Sequence, residues 1–163
     1  LSSRIPRTIS ILLSGSSLAL AGLVMQQMMQ NKFVSPTTAG TMEWAKLGIL
    51  LSLIFIPKGH ILIKLTFAVA LSLGGTFLFV KLINFIKVIE VIFVPLLGIM
   101  IGGIVSSFTT FIALRTNVLQ SIDNWLNGNF AVITSGRYEI LYLANHLLII
   151  SYILSNHIKI ARM

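Results

Sequence analysis

The stretch of sequence from Arg4 to Gly40 reads RIPRTISILLSGSSLALAGLVMQQMMQNKFVSPTTAG. Two arginines that flank a proline are followed by a long, uncharged and mostly apolar run, which ends in a polar turn containing a second proline. At about 1.5 Å per residue, a helix over Thr8–Gln27 is about 30 Å long, the thickness of a bilayer's hydrocarbon core. The stretch therefore predicts a membrane-spanning helix with a charged start and a polar turn at its end.

Small and uncharged residues line one face of this predicted helix. Gly15, Ala19, Gly22 and Gln26 are three or four positions apart, so they lie on the same side. In lipid, small residues allow another helix to approach closely and stabilise the contact by packing. The face predicts either helix packing or the border of a translocation path, and the spacing leaves both open.

The composition indicates that the whole chain is a membrane protein. Its hydrophobic fraction is 56% and its charged fraction only 10%, whereas a soluble domain has about 25% charged residues. The net charge of +8 does not indicate a nucleic-acid partner, because the basic residues are scattered singly between apolar spans. The absence of cysteine excludes disulfides, thiolate metal sites and cysteine nucleophiles.

Apolar runs along the chain predict an all-α fold, a polytopic transmembrane helical bundle. Pro57 and Gly59 are expected to stop the second span, and Pro95 is expected to kink the fourth. Between the fourth and fifth spans, a short interfacial helix is expected at 118–127, with Trp125 at headgroup depth. The predicted spans of this single transmembrane domain, 1–163, are 8–29, 41–56, 61–83, 88–114 and 138–156.

The fourth span carries a second stripe of small residues. Gly98, Gly102, Ser106 and Thr110 are each four positions apart. The stripe predicts either helix packing or the lining of a path along which a bulky ligand slides. Spacing does not distinguish these two alternatives.

The polar residues do not form a pattern that indicates catalysis or metal binding. No nucleotide-binding glycine loop occurs, and the three histidines lack metal-ligand spacing. The four carboxylates lie near the ends of spans and form no catalytic pair. We therefore expect no directly bound cofactor, no metal site and no catalytic residue. The alternative to a transporter subunit is a polytopic membrane enzyme or assembly factor that acts on a lipid substrate.

Motifs in the opening stretch resemble those of the FecCD-type family, the membrane-spanning permease subunits of ABC importers for ferric siderophores and cobalamin. Lys32-Phe33 stands where most of that family has Pro-Leu, which is similar to the branch of anguibactin- and petrobactin-type permeases. Three later stretches, IFVPLLG at 92–98, GGIVSSFTTF at 102–111 and GRYEILYL at 136–143, also look like that branch. The motif residues of the opening stretch are Arg4, Pro6, Arg7, Thr8, Gly22, Gln26, Asn31, Ser35, Pro36 and Gly40.

The resemblance implies a multi-pass protein of the bacterial cytoplasmic membrane and a set of partners. A full-length permease would have ten spans, of which this fragment holds five. It would dimerise with a second, identical or different, permease subunit. A cytoplasmic ABC ATPase would use ATP, and an extracytoplasmic binding protein would deliver the ferric siderophore.

The resemblance also implies roles for individual residues and an orientation. Arg4 and Arg7 would dock the binding protein on the outer face. Asn31 and Phe33 would narrow the cytoplasmic gate. The motion of the segment at Glu90 and Val91, which is also assigned to the gate, is expected from the residues themselves, because Pro95 breaks one backbone hydrogen bond a turn into the span. Basic residues divide evenly between the two sides, so the positive-inside rule gives no orientation of its own.

Overall fold

The structure is a computed structural model that describes residues 4–29, 32, 34–85, 93–126, 145–146, 149–150 and 152–153. The described residues are helical with short connections and contain no strand, so the predicted all-α membrane fold is confirmed. The helices are α1 (Arg4–Met29), a short 3-10 helix η1 (Pro36–Ala39), α2 (Thr41–Phe55), α3 (Ile61–Phe85), α4 (Phe93–Arg115) and α5 (Leu119–Leu126).

The chain divides into two compact units. One comprises Leu1–Phe33 with Asn129–Met163, and the other comprises Val34–Gly128. The first unit contains α1, whereas η1 and α2 to α5 form the second. The predicted fifth span lies outside the described residues except for 145–146, 149–150 and 152–153, which are helical.

Three of the described helices are long and apolar enough to cross a bilayer: α1, α3 and α4. The hydroxyl groups in α1 are compatible with a membrane because they bond within the helix. Ser10 donates to the carbonyl of Pro6 at 2.7 Å, and Ser17 donates to that of Leu13 at 2.7 Å. Such bonds to the preceding turn remove the cost of an unsatisfied polar group in hydrocarbon.

A sharp turn leads into α2. The amide of Ser35 donates to Thr38 Oγ1 at 3.2 Å, which helps to close η1. Gly40 ends η1 and precedes α2 with φ of 71°, and its amide donates to the carbonyl of Thr37. This left-handed conformation strains residues with a side chain, so glycine suits the position.

The helix α2 forms the centre of the second unit. It has 15 residues, which corresponds to about 22 Å and is short of a full crossing. It packs against α3 on one side and α4 on the other, and Leu50 and Ser52 on it are fully buried. The hydrophobic core consists of Ile49, Leu50, Leu53, Ala68, Ala113 and Ile122.

The proline that was expected to kink the fourth span lies in the first turn of α4. This helix begins at Phe93, so Pro95 is its third residue. Amides in a first helical turn have no partner within the helix, and proline therefore removes no hydrogen bond there. Residues 86–92 lie outside the described residues, so the kink at Pro95, expected for a span that begins near residue 88, stays a prediction.

A left-handed residue turns the chain from α4 into α5. Asn117 has φ of 57°, the amide of Val118 donates to the carbonyl of Ala113 at 3.0 Å, and the amide of Asn117 donates to that of Leu114 at 3.3 Å. This pair of bonds is a Schellman motif, in which asparagine replaces the usual glycine. The turn directs α5 back onto the end of the bundle.

The apolar face of α5 packs on protein. Ile122 is 3% exposed and belongs to the core with Ala113, and Val118 and Leu119 pack beside it. From the sequence, we expected this helix to rest in the bilayer interface. The structure shows that its apolar face covers the ends of α2 and α4 and leaves Trp125 partly exposed, and the interfacial position stays a prediction.

Replacing Asn117 by alanine is expected to lower the thermal stability of the intact protein in detergent, by about 1 kcal/mol, because alanine is strained at positive φ. Asn117→Gly should retain or raise the stability, since glycine adopts this conformation freely. Thermal unfolding measures the difference in melting temperature between the two variants, and Asn124→Ala, at an exposed residue of α5, is the control. Equal melting temperatures for the alanine and glycine variants would contradict the assignment of strain at this residue.

Candidate functional site

The start of α2 crosses α4 at a contact between glycine backbones. A Cβ atom added to Gly40 would lie 3.2 Å from the Cα of Gly102 and 3.2 Å from the carbonyl oxygen of Gly98. Both α4 glycines are buried. Side chains at these positions would hold the two backbones apart, so the crossing depends on glycine on both sides.

A second close approach joins α2 to α3. A Cβ atom on Gly48 would lie 2.5 Å from the carbonyl oxygen of Phe67 and 2.7 Å from the Cα of Ala68. Trp44 lies one turn before Gly48 on α2, and its indole faces Gly75, two turns after Ala68 on α3. The ring covers Gly75 so closely that a methyl group there would overlap it. The helices are therefore in backbone contact at Gly48 and separated by a single aromatic ring at Gly75.

One ion pair lies beside the α2–α4 crossing. Lys46 Nζ is 3.2 Å from Glu43 Oε2 and donates to Glu43 Oε1 at 3.3 Å. Both side chains are largely buried, with 25% of Glu43 and 29% of Lys46 exposed. Glu43 is in the first turn of α2, where the helix dipole stabilises a negative charge. The pair brings two charges into the bundle with no net charge.

The predicted stripe on α4 divides between two sides of the helix. Gly98 and Gly102 are buried against α2, Ser106 is half-buried, and Thr110 is exposed. The buried polar residue in the last turns is Thr109, whose hydroxyl donates to the carbonyl of Val105 at 2.7 Å. The glycine half of the stripe thus packs helices, while the hydroxyl half continues to the surface of the second unit.

Hydroxyl groups along α3 and α4 are bonded to their own helices. Thr66, Thr76 and Ser107 each donate to the carbonyl four residues before, at distances of 2.7, 2.8 and 2.8 Å. A hydroxyl that donates in this way keeps only acceptor lone pairs for a ligand. These three hydroxyls can border water or cargo but offer no donor to it.

The predicted docking residues open α1. Arg4 is the first residue of the helix and is exposed, whereas Arg7 is half-buried and interacts within the protein. The hydroxyl of Thr8 donates to the carbonyl of Arg4 at 3.0 Å, which fixes the backbone of this first turn. Arg4 is therefore the more available of the two guanidinium groups.

The predicted small-residue face of α1 is mostly open in its own unit. Gly15 and Ala19 are exposed, and a Cβ atom on Gly15 would meet nothing within 4 Å. Gly22 and Gln26 are half-buried. The side-chain amide of Gln26 donates to the carbonyl of Lys32 at 3.1 Å and so ties the end of α1 to the turn that follows.

The predicted gate residues lie outside the described residues. They are Asn31, Phe33, Glu90 and Val91.

The sequence analysis did not predict the contacts of Gly40, before α2, and Gly48, within it, although their spacing is a signal for such contacts. Gly40, Trp44, Gly48 and Ser52 are each four positions apart, as are the residues of the two stripes that were singled out. Ser52 is fully buried, and the other three residues make the backbone and ring contacts described above. The missed stripe is thus the one that holds the second unit together.

Known proteins match the chain along its whole length. The FecCD transport family matches residues 1–163. The petrobactin import system permease protein YclN of Bacillus subtilis is 49% identical over 99% of this chain and 51% of its own length. The petrobactin import system permease protein FatD of Bacillus anthracis is 38% identical over 97% of this chain and 47% of its own length.

A more distant relative has a different siderophore in its name. The ferric-anguibactin transport system permease protein FatD of Vibrio anguillarum is 32% identical over 100% of this chain and 52% of its own length. The chain thus spans about half the length of these relatives. No solved structure gives a significant match.

The resemblance seen in the motifs is confirmed by these matches, and the relatives are transport permeases rather than enzymes. Three helices of bilayer length agree with a protein that crosses a membrane several times. The chain therefore belongs to the FecCD transport family, as a multi-pass protein of the bacterial cytoplasmic membrane.

Proposed function

We propose that this chain is part of the permease of an ABC importer that carries a ferric siderophore across the cytoplasmic membrane. The observation that carries the proposal is the 49% identity, over almost the whole chain, to a petrobactin import permease. The described residues fit this role, because close-packed apolar helices and internally bonded hydroxyls can border a path for a bulky cargo. The alternative, a membrane enzyme that acts on a lipid, is not supported by any relative described above.

The proposed function includes three kinds of partner. A separate ATPase would drive transport, since this sequence has no nucleotide-binding loop. A second permease subunit would complete the path, and an extracytoplasmic binding protein would supply the cargo. Asn31 and Phe33 would form the cytoplasmic gate, with the segment at Glu90 and Val91 moving as it opens.

Uptake of iron tests the proposed cargo. A strain that lacks the gene is expected to lose growth on ferric petrobactin as sole iron source and to regain it with the intact gene. Ferric anguibactin and cobalamin, supplied separately to the same strains, define how narrow the specificity is. Growth of the deletion strain on every siderophore, with unchanged uptake of labelled iron, would contradict the proposal.

Arg4 is proposed to contact the binding protein. It is exposed at the first turn of α1, and arginine can pair with a carboxylate through two parallel hydrogen bonds. Removing one exposed ionic contact should cost up to about 1 kcal/mol, which is about fivefold in affinity, and the loss should shrink as salt is added. The measurement is the dissociation constant of the binding protein for the solubilised transporter carrying Arg4→Ala.

Two further variants distinguish docking from a lipid anchor. Arg4→Glu should weaken binding more than Arg4→Ala, and a matching Glu→Arg change on the binding protein should restore much of the loss. Lys81→Glu, at an exposed lysine near the far end of α3, serves as control. Unchanged affinity of the Arg4→Ala, Arg7→Ala double variant at low salt, with normal expression, would remove both arginines from the docking surface.

A further inference from the structure

The order of the helices brings three segments to one end of the second unit. Gly40, before α2, meets the early part of α4, and Ala113, near the end of α4, shares the core with Leu53 near the end of α2. The two helices therefore run in the same direction. Trp44 covers the later residue Gly75 of α3, so α3 runs the opposite way. The start of α3, the end of α4 and the whole of α5 consequently lie together.

Positive charge accumulates at this end. Lys58 and Arg115 are exposed there, and Lys64 is half-buried in the second turn of α3. Among the described residues, the only ion pair is that of Glu43 with Lys46, at the opposite end of α2. Of the carboxylates in the described part of the chain, Asp123 on α5 is the one at this end, and it is exposed and makes no ion pair with these cations.

Two of the cations are held against aromatic rings. Lys64 Nζ lies 4.9 Å from the centroid of the Trp125 ring, which joins α3 to α5. The guanidinium carbon of Arg115 lies 5.5 Å from the centroid of the Phe111 ring. Contacts of this kind fix a cation without neutralising it. Both charges thus remain available to an anion at defined positions.

Exposed apolar side chains neighbour these cations along α3 and α4. Leu62 and Leu65 on α3 and Leu114 on α4 are exposed, at 47%, 36% and 57%. Fixed cations and a tryptophan beside exposed apolar side chains are the arrangement that membrane proteins present at the headgroup level. A soluble anion would account for the charges but not for the exposed apolar side chains, whereas a phospholipid complements both.

We infer that the end of the second unit that carries Lys64, Arg115 and Trp125 binds anionic phospholipid, with its cations toward headgroup phosphates and its exposed apolar side chains against the acyl chains. The packing of α5 on the bundle then has a function, because it places Trp125 where it orients Lys64 toward the headgroup. This inference does not depend on which cargo the protein carries.

Fluorescence quenching by brominated lipids tests the proposed surface. The intact protein is reconstituted in phosphatidylcholine vesicles that contain a minor fraction of either brominated phosphatidylglycerol or brominated phosphatidylcholine. The Trp125 signal is isolated as the difference between the protein and its Trp125→Phe variant. We expect brominated phosphatidylglycerol to quench this signal more strongly, with a preference that falls about fivefold for each cation removed by Lys64→Gln or Arg115→Gln.

Controls locate the effect and identify the ligand. Lys81→Gln removes an exposed lysine from the other end of α3 and should leave the preference intact. Equal quenching by the two lipids in the unmodified protein would overturn the inference without requiring any cation variant to fold. A preference that survives in the Lys64→Gln, Arg115→Gln double variant would also overturn it, as would displacement of the lipid by soluble glycerol phosphate.

Discussion

Gly48→Ala is expected to destabilise the protein strongly, because the added methyl group would press on the backbone of a neighbouring helix. The new Cβ atom would lie 2.5 Å from the carbonyl oxygen of Phe67 and 2.7 Å from the Cα of Ala68. These are backbone atoms of α3, so no side chain can rotate to make room. The two helices must separate, which also loosens the core around Leu50 and Ala68. Overpacking of a core typically costs about 1–3 kcal/mol, and we expect the upper end of that range.

Thermal unfolding in detergent, together with yield after membrane extraction, measures this effect. Gly74→Ala is the matched control, because Gly74 is also in the interior of an apolar helix but a Cβ atom there would meet nothing within 4 Å. The control should be neutral or more stable, since alanine favours helix by about 1 kcal/mol over glycine. A Gly48→Ala protein as stable as the Gly74→Ala protein would show that α2 and α3 are not in backbone contact.

Gly40→Ala is also expected to have a large effect, because it combines two penalties. The φ of 71° at Gly40 is strained for alanine by about 1–2 kcal/mol. The added Cβ atom would also lie 3.2 Å from the Cα of Gly102 and 3.2 Å from the carbonyl oxygen of Gly98, and pressing on a packed backbone costs on the order of 1 kcal/mol more. We therefore expect a loss of about 2–3 kcal/mol in stability.

Two other variants separate these penalties. Gly40→Asn tolerates positive φ but keeps the crowding, so it should recover only part of the loss. Gly102→Ala brings the crowding without the strain, since its Cβ atom would lie 3.2 Å from the Cα of Gly40 within a regular helix. Gly103→Ala, at the next residue, meets nothing within 4 Å and is the control. Equal melting temperatures for the Gly102→Ala and Gly103→Ala variants would show that the α2–α4 crossing described above is incorrect.

If Gly40→Ala is stable enough to purify, iron uptake in the complete transporter tests whether the crossing matters for activity. Gly40 follows the proposed gate residues Asn31 and Phe33 within ten positions of the sequence. A tighter or wider crossing should therefore alter transport beyond the loss explained by protein yield. Uptake normalised to the amount of protein in the membrane is the measurement, with Gly103→Ala again as control.

The fold class could be predicted from the sequence because backbone N–H and C=O groups in lipid must form hydrogen bonds with each other. An apolar run as long as a bilayer must form a helix to satisfy its own hydrogen bonds, so α1, α3 and α4 could be recognised by length and composition alone. Glycine and proline also mark the ends of α2, which lies between Gly40 and Pro57 as Thr41–Phe55. Local backbone chemistry sets these features, and the sequence displays it directly.

The partners of each helix face followed only from the tertiary structure. A stripe of small residues shows that something approaches closely, but it does not say which helix or at what angle. The stripe on α4 was visible, yet its glycines meet Gly40 and its Thr110 faces outward. The apolar face of α5 suggested lipid, and the structure packs Ile122 into the protein core instead. In a chain this apolar, lipid and protein are almost equally good solvents for a leucine or isoleucine side chain, so hydropathy cannot tell a buried face from a lipid-facing one. Shape decides between them, and shape arises only when the helices are assembled.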